Sequence, residues 1–375
     1  MTKTEKLLRE LVALPSVNPA FLPAKHPHAG EQRVGDFLAA TLARAGLEVE
    51  FQSVCPGRSN LLARLSPRGK ARQRVLLAPH LDTVGASNDQ FTPRVRNGRL
   101  FGRGACDTKG SIAVMLTALS EVAQCRQRPV ETEIIFAGLV DEEHVQAGSR
   151  ALVATGFKAD LAIVGEPTRL KVVTAHKGTL RLMLETRGKS AHGSYPELGR
   201  NAVHAMSRVV DLLQTDYAAL LRRCHHPLLG CATISVGAIA GGLQANVVPD
   251  RCTILLDRRT LPGETEGRVR REILALLHSR NLTAAFVHGK LLPCPPLATD
   301  PRHPLVTRLL KCAAQRKPAG VRYFSDASVL ARGGIPSVVF GPGDIAQAHT
   351  VNEWISLAAL ERGQAVLRRF LQSFS

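Results

Sequence analysis

Aromatic residues are scarce, at 4% of the 375-residue chain, with a single tryptophan. The core must therefore be mainly aliphatic. Basic stretches interleaved with aromatics, a common platform for stacking bases, do not occur. The eight cysteines (55, 106, 125, 224, 231, 252, 294 and 312) form no CxxC pair. Scattered cysteines in a chain of this size point to buried thiols rather than a disulfide frame. No apolar run approaches the roughly 20 residues that a spanning helix requires, so no membrane partner is expected. The N-terminal MTKTEKLLRELVAL is amphipathic and carries acids, unlike a secretory signal. It is read as the first helix of the fold, and the protein is expected to be cytoplasmic. Acids are also in short supply: 31 Asp and Glu against 49 Lys and Arg leave a net charge of +18. The bases are spread along the chain rather than clustered, so no nucleic-acid partner is expected. The positive field suits the gathering of small anionic substrates instead.

What is present is an ordinary globular composition, 45% hydrophobic and 21% charged, at a length that accommodates two domains. The apolar run 75–78 ends in Pro79 and then presents His80 and Asp82. It reads as a buried strand with polar groups just past its carboxyl end, the edge at which open α/β sheets bind ligands. The pattern recurs. The run 134–140 ends in Asp141, Glu142 and Glu143; 161–165 ends in Glu166; 336–340 leads through Gly341, Pro342 and Gly343 to His349. A Gly-rich turn sets Asp107 just before a helical pattern over 110–122, where a helix cap is an equal reading of that aspartate. Helical periodicity also marks 4–14, 29–46, 304–315 and 357–374, while 47–51 and 60–65 read as strands and 89–101 as a hairpin. Near Lys177 the texture changes. Alternation over 178–186 turns Leu180, Leu182 and Leu184 inward. A helix over 199–221, strands at 233–238 and 252–257, a helix at 264–278 and a strand at 284–287 follow. That is the ferredoxin-like β-α-β-β-α-β order, so an α+β insert interrupts an α/β domain.

His80, Asp82, Asp107, Glu142, Glu143, Glu166 and His349 are the donor types that suit divalent zinc, cobalt or manganese. They are too many for one tetrahedral ion and about right for two. A carboxylate bridges cations roughly 3.5–4 Å apart in hydrolytic pairs. Two dications also explain how so many acids tolerate one another, since bare carboxylates at one edge would repel. Adjacent side chains point apart, so in the pair Glu142–Glu143 one can bind metal while the other serves as general base. In His80-x-Asp82 the aspartate is placed to accept from the far N–H of the imidazole and fix its tautomer. Cys106 is not read as a nucleophile, because the neighbouring Asp107 raises a thiol's pKa.

The motifs HLDTV, GRGACDTKG, VDEEHVQAGS, VGEPT, GKSAHGSYPELGRNAV, QANVVPD, DRRTLPGE and GIPSVVFGPGDIAQAHTVNEW follow one another in this order. Together they closely resemble the co-catalytic zinc amidohydrolase and carboxypeptidase family. That family includes acetylornithine deacetylase, succinyl-diaminopimelate desuccinylase, aminoacylases and glutamate carboxypeptidase. The resemblance covers nearly the whole chain. It implies an α/β fold: a zinc-peptidase-like catalytic domain with a mixed central sheet (1–175 and 291–375), interrupted by an α+β ferredoxin-like lid/dimerisation domain (176–290). It implies that His80 and Glu166 hold one metal, that Glu143 and His349 hold the other, and that Asp107 bridges them. Glu142 would be the base, and Asp82 would orient His80. In the insert, His192 matches a lid histidine that reaches an active site across a dimer and steadies the oxyanion. Asn246 matches a lid residue that contacts substrate. Arg259 matches an arginine that grips the substrate carboxylate, which a guanidinium does bidentately. Read alone, these three are a turn histidine, a turn-capping amide and half of a surface ion pair.

Departures from the family pattern are small: Gly85 where proline is common, Pro79 for a usual glycine, Thr108 for a frequent methionine. None removes a ligand. The implied activity is hydrolysis of the amide of an N-acyl amino acid or short peptide, with two divalent ions as cofactors. Zinc is the first choice, with cobalt and manganese as alternatives. An acetylornithine-deacetylase-like reaction ranks first, a desuccinylase second, and a carboxypeptidase or aminoacylase after them. The resemblance also implies a homodimer formed through the lid domain.

Overall fold

The computed structural model describes every residue except 126–127 and 288–291. The chain divides into two compact units. One comprises Met1–Thr174, Thr299–Gly320 and Ser325–Ser375; the other comprises Ala175–Ala298 and Val321–Phe324. The domain boundary expected at 290–291 lies outside the described residues.

The first unit is built on a mixed sheet. Among its strands are β1 (Glu48–Cys55), β2 (Arg58–Leu65), β3 (Gln73–Pro79), β4 (Thr132–Gly138), β5 (Leu161–Gly165) and β6 (Ser337–Val339), which lie in the order β1-β2-β4-β3-β5-β6. β3 is parallel to both its neighbours, and β6 is parallel to β5. β1 and β2 form an antiparallel hairpin that pairs with β4. All residues of β4 and β5 are buried, as parallel strands covered on both faces require. The chain moves from β3 to one side, then crosses to the other. The crevice beyond the end of β3 is therefore a topological switch point, where this kind of sheet binds ligands.

Helix Lys109–Gln124 is buried on nearly every face, with helices Lys3–Val12 and Leu357–Gln372 packed on it. Local signals set the helix ends. Gln32–Arg44 stops because Gly46 adopts left-handed geometry, with φ +85°. There the Gly46 N–H donates to the carbonyl of Ala43 and the Leu47 N–H to that of Leu42, which satisfies the last carbonyls. Ser356 caps Leu357–Gln372 by accepting from the Ala359 N–H.

The second unit carries a four-stranded antiparallel sheet in the order Thr233–Gly241, Arg251–Thr260, Gly178–Arg187, Ala285–Val287. With helices Ala202–Leu212 and Glu266–Ser279 this is the ferredoxin-like arrangement. Leu180, Leu182 and Leu184 are buried. The single helix expected over 199–221 is not continuous. Asn201 caps it at Ala202 by accepting from the N–H groups of Val203 and His204, and a π-helical turn, Leu213–Tyr217, separates Ala202–Leu212 from Ala218–Arg222. Tyr217 lies on that wider turn, wholly buried, with its hydroxyl 3.2 Å from Glu272.

All eight cysteines are free thiols. No helix among the described residues is long and apolar enough to cross a membrane.

Candidate metal centre

The end of β3 delivers His80, which extends the strand by one bridge to Leu139. Its Nδ1 lies 3.0 Å from the backbone carbonyl oxygen of Asp82 and 3.4 Å from that residue's Oδ1. The sequence pointed to the carboxylate as the acceptor; the carbonyl is nearer. Either acceptor fixes Nδ1 as the protonated nitrogen and leaves Nε2 for ligation. The Asp82 carboxylate also accepts from the N–H groups of Glu142 and Glu143, each at 3.1 Å, and from Asn18 Nδ2 at 2.7 Å. It thereby ties the turn after β4 to the end of β3.

Asp107 occupies the middle. Its Oδ1 lies 3.1 Å from His80 Nε2 and its Oδ2 lies 3.3 Å from His349 Nε2, so one carboxylate offers a separate oxygen to each imidazole. His349 Nε2 is also 3.0 Å from Glu143 Oε2, and His80 Nε2 is 3.8 Å from Glu166 Oε1. Donor atoms of His80, Asp107 and Glu143 all lie within 4.8 Å of one another, as do those of His80, Glu142 and Glu166. The loops that bring them together bend sharply. Asp141 and His349 have φ of +70° and +62°, a region that short polar residues tolerate better than branched ones. A side chain at Gly341 would meet the carbonyl oxygen of Glu166 at 2.5 Å, so only glycine lets the chain leaving β6 pass so close to that residue. Thr108 Oγ1 donates to the Gly165 carbonyl at 2.6 Å and ties the Asp107 turn to the end of β5.

Burial and like charge dominate the electrostatics. Burial pushes the carboxyls of Glu142 and Glu166 well above the usual range, and neighbouring acids push them further. Glu143 is raised by burial and by Asp107. Burial also works against the Asp107 carboxylate, but hydrogen bonds from His349 and His80 prevail and hold it below the usual range. His349 is pushed up to about 10 by its hydrogen bonds with Asp107 and Glu143. The donor set suits a hard or borderline dication, and one further observation fits it: Glu166 Oε1 is buried with no hydrogen-bond donor. A cation between these groups would relieve both the repulsion and the orphaned oxygen.

The sequence of residues 76–373 matches the model of peptidase family M20/M25/M40. The chain belongs to this family. It is 31% identical over 382 residues to an acetylornithine deacetylase of Proteus mirabilis (strain HI4320), covering 98% of this chain and 96% of that protein. Its fold superposes on the aminopeptidase PepT of Bacillus cereus ATCC 10987 with a TM-score of 0.80 at 22% identity, covering 99% of this chain and 98% of that one. It superposes on a dinuclear metal-binding M20 peptidase of Bacillus subtilis with a TM-score of 0.73 at 16% identity, covering 99% and 97%. As an M20 member the chain is a metal-dependent hydrolase, on an α/β catalytic fold with an α+β insert.

The remaining candidates of this M20 chain lie in the second unit. His192 pairs across an isolated bridge with Val247, and the Gly193 N–H donates to the Asn246 carbonyl at 2.7 Å, so His192 and Asn246 are neighbours. Both are exposed. Arg259 lies on strand Arg251–Thr260, where Asp257 engages its guanidinium through two contacts, Nε at 2.8 Å and Nη2 at 3.0 Å. Four supporting residues were not legible in advance. Arg58 donates to Glu31 and Asp141, and Asn18 bridges Asp82 and Asp141. Glu353 receives the turn before Asp107. Asp326 is buried, bonds Ser149 Oγ at 2.5 Å, and is pushed up to about 6 by burial. Glu353 sits inside a quoted motif and Asp326 follows Ser325 in a polar loop, but neither spacing nor strand-end position marks them.

Proposed function

We propose that this chain hydrolyses the amide of an N-acetylated α-amino acid, in the manner of the acetylornithine deacetylases it resembles. The observation that carries this reading is Asp107, whose two oxygens face His80 and His349 separately. A carboxylate set between two imidazoles in this way would suit the bridging of two cations. His80 and Glu166 would hold one and Glu143 and His349 the other. Two such ions, zinc first and cobalt or manganese as alternatives, supply Lewis acidity toward the amide carbonyl and acidify water.

The chain's own residues do the rest. Asp82 keeps His80 in one tautomer and holds the Glu142–Glu143 turn. Glu142, buried and raised above the usual carboxylate range, takes a proton from the attacking water and hands it to the departing amine. His192 steadies the developing oxyanion, Asn246 contacts the substrate, and Arg259 anchors its carboxylate. The lid unit would serve as the face of a homodimer. Protein loaded with zinc, cobalt or manganese and offered a panel of N-acetylornithine, N-succinyl-diaminopimelate, other N-acyl amino acids and dipeptides tests this. Highest kcat/KM on N-acetylornithine is expected. Preference for the succinyl or dipeptide substrates would transfer the assignment to a desuccinylase or peptidase, and no turnover on any would overturn it.

A further inference from the structure

We propose, building on the two-cation reading above, that Glu353 is a positioning residue that sets the Asp107 carboxylate between the two imidazoles. Glu353 is 1% exposed. Its Oε1 accepts from the N–H groups of Cys106 at 2.8 Å and Asp107 at 3.0 Å. Its Oε2 accepts from the Gly104 N–H at 3.0 Å and from Arg103 Nη1 at 2.7 Å. Its backbone carbonyl accepts from the Gly102 N–H at 3.0 Å. The other two amides of this turn, those of Arg103 and Ala105, donate to the carbonyls of Gln90 and Gly102. Every N–H from Gly102 to Asp107 is thus accounted for, and Glu353 takes most of them.

A turn whose amides converge on one point forms a concavity that favours an anion. Here the anion is a side chain of the same loop that carries His349. Glu353 therefore fastens two stretches of chain, one bearing Asp107 and the other bearing His349. One of its four side-chain donors is the amide of Asp107 itself, so any shift of the Glu353 carboxylate passes directly to the residue that must face both His80 and His349. The sequence offers no hint of this, because the partners lie about 250 positions away.

Glu353→Gln is the informative change. Whichever way the amide turns, its NH2 group faces either Asp107 and Cys106 or Gly104 and Arg103, so donors meet donors. Arg103→Ala removes one donor and leaves the three backbone contacts intact. Metal-stripped wild type, Glu353→Gln and Arg103→Ala are titrated with Co2+, followed by visible absorption and calorimetry, with circular dichroism to confirm folding. Wild type should take two ions. In Glu353→Gln the weaker of the two should lose at least about 10-fold in affinity with an altered cobalt spectrum. Its kcat should fall while KM stays within about 3-fold. Arg103→Ala should stay near wild type in cobalt binding. Wild-type affinities, spectrum and kcat in Glu353→Gln would overturn the role. If Glu353→Gln does not fold, Glu353→Asp, which keeps the charge but withdraws it by one methylene, should show the same loss, and two-ion binding at wild-type affinity there would overturn it. A wild type that takes fewer than two ions would overturn the two-cation reading and this role with it.

Discussion

The imidazole of His349 and the carboxylate of Glu143 meet at 3.0 Å across 206 residues of chain. On the other side of Asp107, His80 and Glu166 stand opposite each other in a similar way. The parallel run of β4, β3, β5 and β6 brings these groups to one edge. The consequences for chemistry and stability can each be measured.

Glu142 lies with His80 and Glu166, where burial and neighbouring acids raise its carboxyl above the usual range and so strengthen it as a base. Glu142→Ala should retain bound metal, measured by elemental analysis, and lose roughly 10³-fold in kcat, the size of a general-base contribution. Hydrolysis of acyl-amino acids at the wild-type rate would show that the proton goes elsewhere.

Stripping metal with a chelator should abolish activity and lower Tm. The stabilisation lost follows mass action, about 2.7 kcal/mol when free metal stands at 100 times Kd. Thermal unfolding with and without added Zn2+ measures it. An unchanged Tm together with full activity after stripping would rule out the centre.

Arg259 already makes two contacts with Asp257, which orient its guanidinium. Arg259→Ala should raise KM for N-acetyl amino acids about 10- to 100-fold with a smaller change in kcat, as loss of a charged anchor does. The corresponding N-acetyl amine, which has no carboxylate, should be turned over equally by both proteins. A wild-type KM in the variant would remove Arg259 from substrate binding.

His176 is fully buried, with Nδ1 2.9 Å from the carbonyl of Lys177, and burial holds its imidazole at about 4. A histidine with a lowered folded pKa stabilises only while neutral. The contribution is whole above about pH 6.5 and is lost as pH falls toward 4, of order 3 kcal/mol across that window. Urea unfolding at pH 7 and 4.5 should show the loss in wild type and a flatter response in His176→Asn. Equal slopes would assign acid sensitivity to other groups.

The sequence made the centre legible wherever an apolar run ended in a donor. His80, Glu143 and Glu166 follow β3, β4 and β5, and the length and burial of those strands left few places for their ends to point. Residues that act through backbone direction were opaque. Asn18 and Arg58 meet Asp141 only because that residue turns left-handed. The π-turn at Leu213–Tyr217 was likewise hidden, because its apolar spacing continues that of a regular helix.

The two imidazoles differ in how far they stand from water: the side chain of His80 is 1% exposed and that of His349 is 55% exposed. A chelator or an incoming ion arriving from bulk solvent therefore meets His349 first. Loading and loss should be staggered, with the outer position exchanging rapidly and the inner one slowly, so that under metal scarcity the protein would persist as a half-charged species rather than an empty one.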